Sequence, residues 1–176
     1  MNIVLIGFRC TGKTAVGEEV ARRLGRPFVD ADTYLQERAR KSIAAIFAEG
    51  GEPLFRQRER EVLAELTQRD GIVLAAGGGA VLDEENVRSL RASGLVVRLT
   101  ASLETILRRL AADEKSTSER PRLTAEADLR REVEQLLARR EPFYRGAAEV
   151  TIDTEGMTVS EVAEDLLRQV SARDRK

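Results

Sequence analysis

The chain has 176 residues, 42% hydrophobic and 34% charged, with a formal net charge of −1. That balance excludes a disordered chain and suits one folded domain. The near-zero charge offers no bulk field for nucleic acid or an anionic membrane, so neither is expected as a partner. No histidine is present, which removes every His-based triad and His metal site and leaves carboxylate, lysine, tyrosine or the single cysteine as general base. One cysteine, Cys10, allows no internal disulfide and fits a reducing, cytoplasmic setting. The first residues are too short an apolar run to span a membrane and have no basic segment before them, so the mature chain is expected to start near Met1.

In chain order, the β-branched run at 3–6 predicts a buried parallel strand, and 13–24 a helix with Val16, Val20 and Leu24 on one face. A short strand follows at 27–30, then helices at 33–40 and 42–48, the second capped by Ser42. Gly50 and Gly51 break the chain before a longer helix at 52–69. Further strands are expected at 72–75, 95–97 and 150–152, and helices at 84–92, 102–111 and 126–140, with a closing helix marked by Val159, Val162, Leu166 and Val170. Residues 113–124 have no apolar period and read as a mobile surface loop. Five strands alternating with helices predict an α/β fold with a mostly parallel sheet covered on both faces.

Gly7-Phe8-Arg9-Cys10-Thr11-Gly12-Lys13-Thr14 matches the phosphate-binding P-loop pattern. Its backbone N–H groups and the following helix N-terminus cradle phosphates, Lys13 reaches the β- and γ-phosphates, and the Thr14 hydroxyl is placed for Mg²⁺. The guanine signature of a GTPase is absent, and the strand at 72–75 ends in glycines where a motor would carry an acid. Small size and one mobile loop favour a small-molecule kinase. Asp30-Ala31-Asp32 follows the second strand: one carboxylate can assist Mg²⁺ and the other accept a hydroxyl proton, or Asp32 can simply cap a helix, and spacing alone leaves both open. Gly77-Gly78-Gly79 permits close backbone approach to a ligand, or makes a tight turn. Arg120 in the mobile loop can close over phosphates, and Arg139-Arg140 suits a helix C-terminus.

These motifs occur together with Ser-Ile-x-x-Ile-Phe at 42–47, Gly-Glu-x-x-Phe-Arg at 51–56, Arg120-Pro121 and Arg-x-Pro-x-Tyr at 140–144, and in that order the chain resembles the shikimate kinase family over nearly its whole length. The resemblance implies a P-loop NTPase-like three-layer α/β/α fold with a five-stranded parallel sheet, one domain over 1–176, a substrate-binding region at about 33–61 and a lid at about 112–124. It implies a monomer using ATP and Mg²⁺ to phosphorylate the 3-hydroxyl of shikimate, in aromatic amino-acid biosynthesis. By matching position, residues Cys10, Thr11, Gly12, Lys13, Thr14, Ala15 and Arg120 would bind nucleotide, and Thr14 and Asp30 would support the metal. Lys13, Asp32 and Arg120 would be catalytic, with Asp32 the base. Arg56 and Arg140 would hold the carboxylate, Gly77, Gly78 and Gly79 would approach the substrate, and Phe47 and Phe55 would wall its ring. Arg108 or Arg109 would lie near adenine. Cys10 stands where the family usually has glycine, and Arg122 where an apolar residue is usual. The nearest alternatives are a gluconate kinase and a non-catalytic nucleotide-binding homologue.

Overall fold

The computed structural model describes residues 1–112 and 128–173. Its centre is a five-stranded sheet in the order β2-β3-β1-β4-β5, parallel throughout, formed by β1 (Asn2–Ile6), β2 (Phe28–Asp30), β3 (Val73–Ala75), β4 (Gly94–Thr100) and β5 (Val150–Asp153). Seven α-helices are described: α1 (Lys13–Leu24), α2 (Ala31–Ala39), α3 (Ile43–Leu66), α4 (Glu84–Ser93), α5 (Leu103–Ala112), α6 (Leu129–Ala147) and α7 (Val159–Arg173).

The two-residue period of β1 explains the layering. Ile3 and Leu5 face α1 and α7 through Val16, Val20, Val162 and Leu166. Val4 and Ile6 face the opposite layer, where Leu63, Leu66, Leu90, Ile106, Val133 and Tyr144 close over them. All four β1 side chains are at most 1% exposed, which is why the strand reads as a continuous apolar run. The three-layer α/β/α arrangement expected from the sequence is therefore present.

Helix ends follow local chemistry. The Ser42 hydroxyl accepts from the Ala45 N–H at 3.1 Å and the Ser102 hydroxyl from the Thr105 N–H at 3.2 Å. Asp83 and Asp128 cap α4 and α6 in the same way. Three expectations need correction. α2 starts at Ala31, and its cap is Asp30, so Asp32 is not the capping residue. The expected break at Gly50-Gly51 is present, both glycines leaving helical backbone (Gly50 φ −146°, Gly51 φ 66°), but the helix beyond it ends at Leu66, short of the expected 69. α6 runs beyond Pro142 to Ala147, because Tyr144 and Ala147 are buried in the core and hold the extra turns against the sheet layer. Arg139 and Arg140 therefore sit mid-helix, and the C-terminal dipole does not explain them. The loop expected at 113–124, with Arg120 and Arg122, lies outside the described residues.

α3 carries several cavity residues, so its anchoring can be tested apart from chemistry. Leu66 is fully buried at its last turn. Leu66→Ala should lower unfolding stability by about 2–5 kcal/mol through lost burial and a cavity. Denaturant midpoints check this, and the KM for the acceptor should stay within about twofold if the helix keeps its place.

Candidate active site

The phosphate loop joins β1 to α1. The Thr11 hydroxyl donates to the Phe8 carbonyl at 2.8 Å and folds the loop on itself. The Lys13 ammonium donates to the Gly7 and Phe8 carbonyls, both at 2.9 Å. α1 has no side-chain cap and no acid in its first turn, so its leading N–H groups and positive dipole end are left for an anion. Cys10 has φ 61°, in the left-handed region, a conformation that costs a non-glycine residue about 1–3 kcal/mol. That position does require positive φ, and cysteine occupies it without glycine's freedom.

Asp30 does two jobs. Its Oδ1 accepts the Asp32 and Thr33 N–H groups, capping α2, while Oδ2 accepts the Thr14 hydroxyl at 3.0 Å. Two hard oxygen groups side by side at the phosphate loop fit Mg²⁺, an ion that takes few protein ligands and fills its remaining positions with water and phosphate oxygens. Among the described residues no cluster of three or more acidic, Cys or His side chains could hold a metal by itself.

On the nucleotide side, a cavity of about 510 Å³ is lined by Cys10, Thr11, Gly12, Ala15, Arg109 and Thr154, among others. Arg109 donates to the Cys10 carbonyl at 3.0 Å, whereas Arg108 turns to the Thr105 hydroxyl. Of the two, Arg109 faces this cavity.

A second cavity, of about 420 Å³, opens across the glycine strip and brings together Asp32, Phe47, Phe55, Arg56, Gly77, Gly78, Gly79 and Arg140. Phe47 and Phe55 stack at 5.0 Å between centroids, and the Arg56 guanidinium lies 5.2 Å over the Phe55 ring. Arg56 donates to Glu59 at 2.6 Å and to Glu52 at 3.2 Å. Arg140 donates to the Gly78 carbonyl at 3.3 Å and rests 5.8 Å over the Phe8 ring of the phosphate loop. Side chains at Gly77 and Gly79 would displace the charged groups gathered here. A Cβ on Gly79 would sit 2.4 Å from an Arg56 nitrogen, and one on Gly77 would sit 2.8 Å from Glu59 and 2.9 Å from Asp32.

Sequence reasoning missed Glu59, Glu52, Arg9 and Arg139, all of which line this cavity. A charged residue on a helix reads as a solvated face, yet Glu59 is 3% exposed. Its signal was spacing: it lies three residues after Arg56 and three before the buried Val62. Tyr144, assigned no role from sequence, donates its hydroxyl to the Gly78 carbonyl and is itself under the Arg98 guanidinium at 5.7 Å. Burial pushes the Tyr144 hydroxyl pKa up, so it stays a donor.

A phosphate loop packed against Gly78, beside an arginine- and carboxylate-lined cavity bordered by the same glycine strip, defines a P-loop phosphotransferase acting on a small anionic acceptor. Comparison with known proteins narrows this. The family model described as shikimate kinase matches residues 9–171. The chain is 42% identical to the shikimate kinase of Syntrophus aciditrophicus, covering 98% of this chain and 92% of that one. It is 43% identical to that of Symbiobacterium thermophilum, covering 98% of each. The solved shikimate kinase of Acinetobacter baumannii in complex with shikimate superposes with a TM-score of 0.91 at 36% identity, covering 99% of this chain and 95% of that one. The chain belongs to the shikimate kinase family.

Glu59 makes the site pH-sensitive. Burial, opposed by Arg56, holds its carboxyl above the ordinary value of 4.5. The folded protein then binds that proton more tightly than the unfolded chain, so the associated stability is present below about pH 4.5 and is lost as pH rises through the raised value. Relative to Glu59→Gln, the wild-type urea midpoint should fall as pH is raised above 4.5. A relative rise across that window would contradict the assignment.

Proposed function

We infer that this chain transfers the γ-phosphoryl group of ATP to the 3-hydroxyl of shikimate, giving shikimate 3-phosphate and ADP, a step of aromatic amino-acid biosynthesis. The observation that carries this is the approach at Gly78: a Cβ there would lie 3.7 Å from the Gly7 carbonyl and 3.8 Å from Arg140, so the phosphate loop and an acceptor arginine meet at one glycine. Donor and acceptor are thereby held against each other, which converts the encounter into an intramolecular one.

Shikimate carries a carboxylate and three hydroxyls. Arg56 and Arg140 pair with the carboxylate through charge-assisted bonds. The Phe47–Phe55 pair walls the ring, and the backbone of Gly77, Gly78 and Gly79 forms the opposite face. This sets one hydroxyl towards Asp32, which faces the cavity because Asp30 has taken the capping role. Asp32 accepts the hydroxyl proton as the new O–P bond forms and the bond to the ADP oxygen breaks. Lys13 leaves the loop carbonyls to meet the β- and γ-phosphates. Cys10, Thr11, Gly12, Thr14 and Ala15 surround the phosphates with backbone N–H groups. Arg109, which lines the nucleotide-side cavity, is the arginine proposed to lie near adenine. Arg120 is proposed to reach the phosphates from the lid.

Thr14 directly and Asp30 through water would hold Mg²⁺, which supplies charge neutralisation on the phosphates. A monomer acting in the cytoplasm is the reading we favour. Of the large exposed apolar side chains among the described residues, Leu82 and Phe143 both border the acceptor cavity; the others are Met1, Leu129 and Val159. No described helix is long and apolar enough to cross a membrane.

ADP release measured with Mg·ATP and shikimate, quinate, gluconate or AMP tests the reading. Turnover is expected with shikimate. Asp32→Asn should lower kcat by about 10²–10⁴-fold with a much smaller change in KM for ATP. Turnover with gluconate instead, or an unimpaired variant, would contradict it.

A further inference from the structure

Arg9 was given no role by its place in the phosphate-loop pattern, and the geometry points to one. Of loop residues 7–14, Cys10, Thr11 and Gly12 line the nucleotide cavity, whereas Arg9 lines the acceptor cavity beside Asp32 and Arg140. Its main chain lies against the glycine strip: the Arg9 nitrogen is 3.6 Å from where a Gly78 Cβ would be. Its neighbour Phe8 is 2% exposed and carries the Arg140 guanidinium on its ring. The loop is thus pinned at Phe8, and the next side chain enters the acceptor side.

We propose that Arg9 is a further catalytic residue, whose guanidinium grips the phosphoryl group once it has crossed to the acceptor, and so binds the phosphorylated product in preference to the substrate. The physical reason is where charge appears. Before transfer the acceptor hydroxyl is neutral, and the γ-phosphate is held by the loop backbone and Lys13. After transfer a group carrying about −1.5 to −2 charge sits on the acceptor, beside the glycine strip. A planar guanidinium suits its oxygens. A cation there also favours the transition state, in which charge is spread over the moving group. A residue that held the shikimate carboxylate would bind substrate and product alike, so the two roles separate by affinity.

The inference rests on the acceptor cavity being the shikimate site, which wild-type calorimetry with shikimate tests separately. The discriminating experiment measures Kd for shikimate and for shikimate 3-phosphate, together with kcat, in wild type, Arg9→Met and Arg9→Lys. Arg9→Met is expected to weaken product binding by about tenfold or more. It should lower kcat by about tenfold to a hundredfold, with shikimate affinity within about twofold of wild type. Arg9→Lys, which keeps the charge, should recover most of the product affinity, and serves as the probe if the Met variant does not fold. Parallel loss of substrate and product affinity, or no change in product affinity, overturns the proposal. A wild type that does not bind shikimate overturns the functional reading, and this inference with it.

Discussion

The site depends on one close approach. Gly77, Gly78 and Gly79 follow β3, which lies beside β1 in the sheet, so the strip emerges next to the phosphate loop that follows β1. Sheet order alone places the two loops side by side at the carboxyl ends of the strands, where ligands of such sheets bind. Without side chains at Gly77 and Gly79 the strip admits the Arg56 guanidinium, the Glu59 carboxylate and the Asp32 carboxylate at positions that a Cβ would make them give up. Gly78 lies against both the phosphate loop and Arg140, so the acceptor cavity borders the loop directly.

A second set of contacts fixes the strip from behind. Tyr144 and Arg140 both donate to the Gly78 carbonyl. Tyr144 lies under Arg98, which reaches Glu141 one helical turn before Arg145 on α6. α6 thus touches the glycine strip at one point with a neutral hydroxyl and a guanidinium. Its continuation past Pro142 is what brings Tyr144 there. A proline in a helix interior normally disfavours it, and burial of the following turn outweighs that cost.

Much of this was legible in the sequence. The buried strands, the phosphate loop, the cap at Ser42 and the glycine break in α3 each follow from local chemistry. What was not legible depended on the third dimension. The pair Asp30 and Asp32 left capping and catalysis interchangeable, because either carboxylate can serve either role. Only the start of α2 at Ala31 separates them. Glu59 looked like a solvated charge until packing buried it beside Arg56. Arg9 filled a position the phosphate-loop pattern leaves open, so the pattern said nothing about which cavity it enters.

On the proposed reading, shikimate binds beside the glycine strip with its carboxylate between Arg56 and Arg140. A crystal structure with shikimate and ADP bound tests that most directly. The expected result is shikimate in the cavity lined by Asp32, Phe47, Phe55 and the glycine strip, its carboxylate within hydrogen-bond distance of both guanidinium groups and its 3-hydroxyl turned to Asp32. Shikimate bound outside that cavity, or bound with its carboxylate turned to Asp32, would contradict it.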